Sequence, residues 1–130
     1  MTRKIIQTDQ APKPVGPYNQ AIVANGMIFV AGQISIDPQA NQIVHGDDVS
    51  QQTQQVMRNL EAVLQAAGST WEDVVKTTIF LADLADFDAV NAVYGRYFNP
   101  DTAPARACVE VSRLPKDVRV EIDCIAVIPE

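Results

Sequence analysis

Apolar and polar positions divide this chain into short segments of contrasting period. Ala21-Ile-Val-Ala24 and Met27-Ile-Phe-Val-Ala31 are apolar runs of strand length, separated by Asn25-Gly26. Asn-Gly supplies the positive φ angles that a two-residue hairpin turn requires, so the pair reads as a β-hairpin leaving through Gly32-Gln33. A glycine at that point suggests a bulge or the close approach of another group. Ahead of the hairpin, with room for one short strand before it, Ala11-Pro-Lys-Pro-Val-Gly-Pro17 is a stiff, irregular lead-in, because proline fixes φ and lacks a donor. Residues 37–42 read as a loop.

From about residue 48 to 67 the period changes. Val49, Thr53, Val56, Met57, Leu60, Val63, Leu64 and Ala67 recur at three- and four-residue steps, which marks one face of a helix. Asp48 with Gln51 has the spacing of a capping box, and Gly68 is placed as the stop. After a turn at 69–73, the β-branched segment 74–81 reads as a strand. A second helix is predicted from 86 or 87 to 98, with Phe87, Val90, Val93, Tyr94, Tyr97 and Phe98 on its apolar face and Asn99-Pro100 ending it. Residues 105–113 and 118–128 read as a second hairpin joined through Leu114-Pro-Lys-Asp117. The order predicts an α+β fold in a single domain over residues 1–130: one mixed sheet with two helices packed on one face.

Alternation then assigns the faces. Ala105, Ala107, Val109 and Val111 alternate with Arg106, Cys108, Glu110 and Ser112, and Val120, Ile122, Cys124 and Ala126 alternate with Arg119, Glu121 and Asp123. With the apolar sets beneath the helices, Arg106, Cys108 and Glu121 should share the opposite face. Glu110 would face Glu121 and Arg106 would face Ile125. Arg106 and Glu121 would then stand four residues apart, about 13 Å. Phe80, Ile125 and Val127 are expected on the same uncovered face, which is either solvated or a subunit interface.

Composition narrows the chemistry. Ten Lys and Arg against sixteen Asp and Glu give a formal charge of −6. That disfavours general nucleic-acid binding, which relies on cations against phosphates, and it disfavours an anionic membrane surface. An anionic substrate would need a local basic anchor. A single histidine, His45, and two cysteines outside any CxxC pattern disfavour multi-histidine metal sites, structural zinc and disulfide scaffolds. The start of the chain does not read as a signal peptide, and no apolar run approaches a bilayer span, so a soluble, reducing, cytoplasmic setting is expected.

Several residues could carry chemistry. Arg106, after Ala103-Pro-Ala, could hold a carboxylate through two parallel hydrogen bonds or be a surface arginine. Glu121, mid-strand where Glu is disfavoured, could orient water if its face is enclosed, or be a solvated charge, or one paired with Arg119. Cys108 lacks a nearby base to activate it, although its backbone N–H could meet a ligand. A disulfide to Cys124 is not expected, because the two fall on opposite faces. Tyr18, in its irregular segment, offers an exposed phenol. Asn91 stands beside an apolar helical face and either bonds into a pocket or meets solvent. His45 reads as a loop residue.

The stretch Pro104-Ala-Arg106-Ala-Cys108-Val-Glu-Val-Ser-Arg-Leu114-Pro-Lys-Asp-Val-Arg-Val-Glu121-Ile resembles the C-terminal signature of the RidA/YjgF family of enamine/imine deaminases. The resemblance extends through Gly16-Pro17-Tyr18, Gly32-Gln33, the run from Gln54 to Asn59-Leu60, Ala66-Ala67-Gly68, Val75 to Thr78, Phe80 and Val90-Asn91, so it is nearly full length. It implies a chorismate-mutase-like fold, a homotrimer with sites in the clefts between subunits, and no cofactor or metal. The implied substrates are 2-aminoacrylate, 2-iminopropanoate and 2-iminobutanoate, released by pyridoxal-phosphate enzymes and hydrolysed to 2-oxo acids and ammonia, which spares those enzymes from attack. Carried over, Arg106 binds the substrate carboxylate with help from the Cys108 backbone, Glu121 positions or activates water, and Tyr18, Gly32 and Asn91 line the pocket. Ala31 stands where many members have Ser, which bears on substrate preference. Two alternatives are a non-catalytic small-molecule regulator using the same clefts and, ranked lower because of the acidic charge, an RNA-acting translation inhibitor.

Overall fold

A computed structural model describes residues 2–129. In chain order the elements are β1 (Lys4–Ile6), β2 (Ala21–Ala24), β3 (Met27–Gln33), β4 (Ile36–Asp37), β5 (Gln42–Ile43), α1 (Val49–Ala66), β6 (Val74–Leu81), α2 (Phe87–Tyr94), β7 (Ala105–Glu110) and β8 (Val120–Val127). Six strands form one sheet in the order β1-β2-β3-β8-β6-β7, antiparallel except for the β6–β7 pair. Helices α1 and α2 pack side by side on one face of it. This is the α+β, chorismate-mutase-like arrangement that the sequence predicts.

The local signals act as expected in the first half. Asn25 and Gly26 turn the β2–β3 hairpin with φ of 53° and 72°. The Asp48 carboxylate accepts the Gln51 N–H at 3.0 Å, which caps α1, and Gly68 leaves the helix with φ of 82°. Val56, Met57, Leu60, Val63 and Leu64 are fully buried against the sheet. Truncating one such residue, Leu60→Ala, would cost about 2–5 kcal/mol. The buried face of α1 is wider than its apolar positions, because Gln52, Gln55 and Asn59 are also buried. Asn59 Nδ2 donates to the carbonyls of Ile34 and Ile36 at 3.2 and 3.0 Å, while Asn59 Oδ1 accepts from Gln55 Nε2 at 2.9 Å. Gln52 accepts the Arg119 N–H at 2.9 Å and donates to the Gly46 carbonyl. These amides tie the helix to the backbone at Gly46, at Arg119, and at Ile34 and Ile36 around the start of β4.

The second half departs from expectation in three ways. Helix α2 ends at Tyr94, short of the predicted Phe98, and a tighter turn follows over Gly95–Tyr97. Glycine is a poor helix former, and Tyr97 and Phe98 pack instead on Trp71, with ring centroids 5.4 and 5.2 Å away. Residues 37–42 are not wholly loop, since β4 and β5 form a two-residue ladder. Most consequentially, β7 and β8 are not a hairpin: β6 lies between them. Their connection is no tight turn. It includes a helical turn at Pro115–Asp117 in which Lys116 and Asp117 take φ of 56° and 58°. Its length spans the two strand spacings, about 10 Å, needed to pass over β6. The expected Glu110–Glu121 and Arg106–Ile125 pairs are therefore absent.

The face assignment of β7 is also reversed. Arg106 pairs with Thr77 and Cys108 with Ile79 on β6, and Thr77 and Ile79 are buried beneath the helices. Arg106 and Cys108 therefore lie on the helix side, while Ala105, Ala107 and Val109 face the open side. The assignment holds for β8: Val120, Ile122, Cys124 and Ala126 are buried, and Glu121, Asp123 and Ile125 face outward. Cys108 and Cys124 thus share a face rather than opposing each other. Both are free, because the intervening β6 holds their strands about 10 Å apart, beyond disulfide reach.

On the open side, one end of the sheet carries a second small core of Ile34, Ile36, Leu114 and Val118, packed with Phe80 and Val111. The rest of that side remains uncovered, with Phe29 44% and Val109 43% exposed.

Candidate functional site

The candidate residues fall into two clusters. The first surrounds Arg106 at the sheet edge. Its Nη1 donates to Asn91 Oδ1 at 2.6 Å, and its guanidinium carbon lies 5.6 Å from the Phe87 ring centroid and 5.0 Å from that of Tyr94. Phe87, Asn91 and Tyr94 share one face of α2 at steps of four and three, so a single helix supplies all three contacts. Cys108 follows two residues after Arg106 and borders a shallow depression with Phe87 and Leu84. Burial pushes its thiol pKa up, against the smaller opposing pull of Arg106, so the thiol is poorly suited to nucleophilic work.

The second cluster surrounds Glu121 on the open face. Strand β3 carries a bulge between Val30 and Gln33, where it gains one residue on β8. The bulge places Gly32 directly beneath the Glu121 carboxyl group: an added Cβ at Gly32 would lie 3.2 Å from Glu121 Cγ and 3.0 Å from Cδ. Only glycine leaves room for the carboxylate in this position. Glu121 and Gly32 line a cavity of about 360 Å³ together with Tyr18, Ala31, Ile34 and Pro115. The small core positions Ile34, and the lead-in segment positions Tyr18. That segment is latched by buried Gln20, whose Nε2 donates to the carbonyls of Thr8, Ala11 and Pro12 and whose Oε1 accepts the Thr8 N–H. The Tyr18 hydroxyl accepts the Val15 N–H at 3.1 Å.

Burial raises the Glu121 pKa above its ordinary value, and the like charge of Asp123 adds to the effect. Glu121 does not pair with Arg119. That guanidinium grips Asp86 at 2.8–3.2 Å and reaches the Asp47 carbonyl, fixing the start of α2 to the start of β8. His45 sits in its loop with φ of 60° and lines neither cluster.

The two clusters do not meet within the chain. Arg106 is in register with Thr77, and Glu121 with Phe80, three residues further along β6. The odd step puts their side chains on opposite faces, and two strand spacings add to the separation, giving about 14 Å between their backbones. The sequence reading placed both on one face, and the structure separates them. Phe87 and Tyr94 were legible only as helix core; their spacing around Asn91 was the available signal of a further role.

Comparison with known proteins resolves the family. Residues 8–128 match the family model described as Endoribonuclease L-PSP. The chain belongs to this family, the RidA/YjgF family. A RutC family protein of Synechocystis is 67% identical, over 99% of both chains. The 2-iminobutanoate/2-iminopropanoate deaminase of Salmonella typhimurium is 47% identical, over 95% of this chain and 97% of that protein. The crystal structure of E. coli TdcF with bound serine superposes with a TM-score of 0.88 at 44% identity, covering 95% of this chain and 98% of that one. The family resemblance in the sequence is thereby borne out over nearly the whole chain, and the RidA/YjgF fold is the frame for both clusters.

Proposed function

We propose that the protein hydrolyses small 2-imino acids and their enamine tautomers to 2-oxo acids and ammonia, at sites that combine the two clusters from different copies of the chain. The observation that carries this reading is the separation of two complementary groups: a guanidinium held at the sheet edge by Asn91, Phe87 and Tyr94, and a carboxyl group over a cavity at Glu121 on the opposite face, about 14 Å away. Similarity to the Salmonella deaminase supports the substrate class. The apolar open face, with Phe29 and Val109 exposed, supports self-association, and a homotrimer is the assembly proposed.

In this reading Arg106 holds the substrate carboxylate, and the Cys108 backbone N–H assists. Glu121 takes a proton from a water as that water adds to C2 of the C=N bond. The imine nitrogen takes a proton from solvent to give the carbinolamine, Glu121 then passes its proton to that nitrogen, and the C2–N bond breaks as the hydroxyl proton leaves to solvent, releasing ammonia and the 2-oxo acid. Burial raises the pKa of this carboxyl group, which makes it a stronger base toward the water than an ordinary carboxylate. Tyr18, Gly32 and Asn91 shape the cleft, and Ala31 offers no hydroxyl to the substrate.

The test generates 2-iminobutanoate enzymatically and follows its disappearance. Wild type should exceed the buffer rate, and Arg106→Ala and Glu121→Gln should each be strongly impaired. Mixing the two variants under exchange conditions should restore activity, because about a quarter of the sites then receive both intact halves. Wild type at the buffer rate would leave the non-catalytic binding reading. Impaired variants that do not complement one another would refute composite sites.

A further inference from the structure

An arginine on an edge strand has many rotamers, and capturing a ligand with it costs entropy unless the side chain is already held. Arg106 is held from one direction by a closed circuit of contacts. Its guanidinium lies 5.0 Å from the Tyr94 ring centroid. The Tyr94 hydroxyl shares a hydrogen bond of 2.8 Å with Thr77 Oγ1. Thr77 is the residue in register with Arg106 on β6. The ring is buried, and Phe98 packs against it with centroids 4.8 Å apart, so it has little freedom to swing. Phe87 adds a second aromatic contact, and Asn91 takes one Nη1 hydrogen. The Nε and Nη2 hydrogens have no bond within the described residues, which leaves the edge that suits bidentate capture of a carboxylate.

We infer that Tyr94 is a positioning residue: pinned through its hydroxyl to Thr77, it fixes the Arg106 guanidinium so that the carboxylate-binding edge is presented ready-made. Tyr94 is too buried to touch a substrate itself, so it acts through Arg106. The inference rests on the proposed function for its ligand class, but the geometry of the arginine can be read without it.

Two readouts test it. The first is KM and kcat for 2-iminobutanoate, with the dissociation constant for 2-oxobutanoate by calorimetry. Tyr94→Leu should raise KM and that constant about 5- to 20-fold while kcat changes less than about 3-fold, and Tyr94→Phe, which keeps the ring, should recover most of the loss. The second is the NMR signal of the Arg106 Nε–H, assigned by Arg106→Lys. It should be dispersed and rigid in wild type and move toward the averaged position of mobile arginines in Tyr94→Leu. A folded Tyr94→Leu variant with unchanged ligand affinity and an unchanged Nε–H signal overturns the inference. If Tyr94→Leu does not fold, Tyr94→Met, which also removes the ring, replaces it, and an unmoved Nε–H signal in that variant overturns the inference. If wild type neither hydrolyses the imine nor binds the oxo acid, the proposed function fails, and the Nε–H signal alone decides whether Tyr94 positions the arginine.

Discussion

Gly32→Ala separates the chemistry of the Glu121 cavity from the stability of the fold. The backbone at Gly32 lies outside the left-handed region, so alanine suits its conformation. The obstacle is Glu121. The new methyl would sit 3.0 Å from Cδ and 3.2 Å from Cγ, and nearer still to a carboxylate oxygen. Carbon atoms in comfortable contact are about 3.5–4.0 Å apart and the oxygen clash is closer than either carbon's, so the carboxyl group must withdraw by about 1 Å or more. It is the end of a flexible side chain, and the change in stability should stay within about 1 kcal/mol. The chemical cost is larger: displacing a reacting group by about 1 Å can cost about 100-fold in rate, within the range lost when a general base is removed. The expected result is a variant with nearly wild-type thermal unfolding and a kcat for 2-iminobutanoate reduced on the order of 100-fold. The double variant Gly32→Ala/Glu121→Gln should be no slower than Glu121→Gln alone, since both act on one group. Gly32→Ala within about twofold of wild type, or a double variant showing the product of the two single losses, would refute the placement of Glu121 as the group on which the reaction depends.

Two further outcomes concern stability. Because burial, then Asp123, raises the Glu121 pKa in the folded state, the contribution of this group is fully present below its ordinary value of 4.5 and is lost as pH rises through the raised value. Glu121→Gln should therefore be more stable than wild type at neutral pH, with the gap closing as pH falls to about 4.5, and urea melts at several pH values that show a constant gap would contradict this. Asn59→Ala strips donors from the buried carbonyls of Ile34 and Ile36 and leaves Gln55 unpaired, so it should cost about 3 kcal/mol in urea unfolding; a loss below about 1 kcal/mol would show that water replaces the amide.

What the sequence made legible follows from how each signal arises. The β2–β3 hairpin and α1 were readable because their signals are local: Asn25-Gly26 permits only a few turns, and the α1 face repeats over five turns. Glycine at position 32 signalled a bulge or a close approach, and the structure has both. The order of the strands is not local. Nothing in residues 111–119 records that the chain crosses β6 before pairing, and adjacency in sequence favours a hairpin. The face of β7 was misread for a related reason. Alanine is a weak marker of burial, and Ala105, Ala107 and Val109 outvoted Arg106 only while the aromatic contacts that α2 offers to a guanidinium were unknown.

That reversal bears directly on assembly. With both groups on one face, Arg106 and Glu121 would have suggested a cleft within a single chain. On opposite faces about 14 Å apart, they cannot both touch a substrate of a few heavy atoms. In the proposed site the helix side of one copy's β7 edge meets the open-face cavity of the next. In the proposed homotrimer that contact is heterologous and closes into a ring. A two-fold dimer would complete its sites only if a single patch carried both surfaces, so that each edge met the other chain's cavity. The complementation of Arg106→Ala by Glu121→Gln thus probes the sharing of sites between chains as well as their chemistry, because it succeeds only where one chain's edge completes its neighbour's cavity.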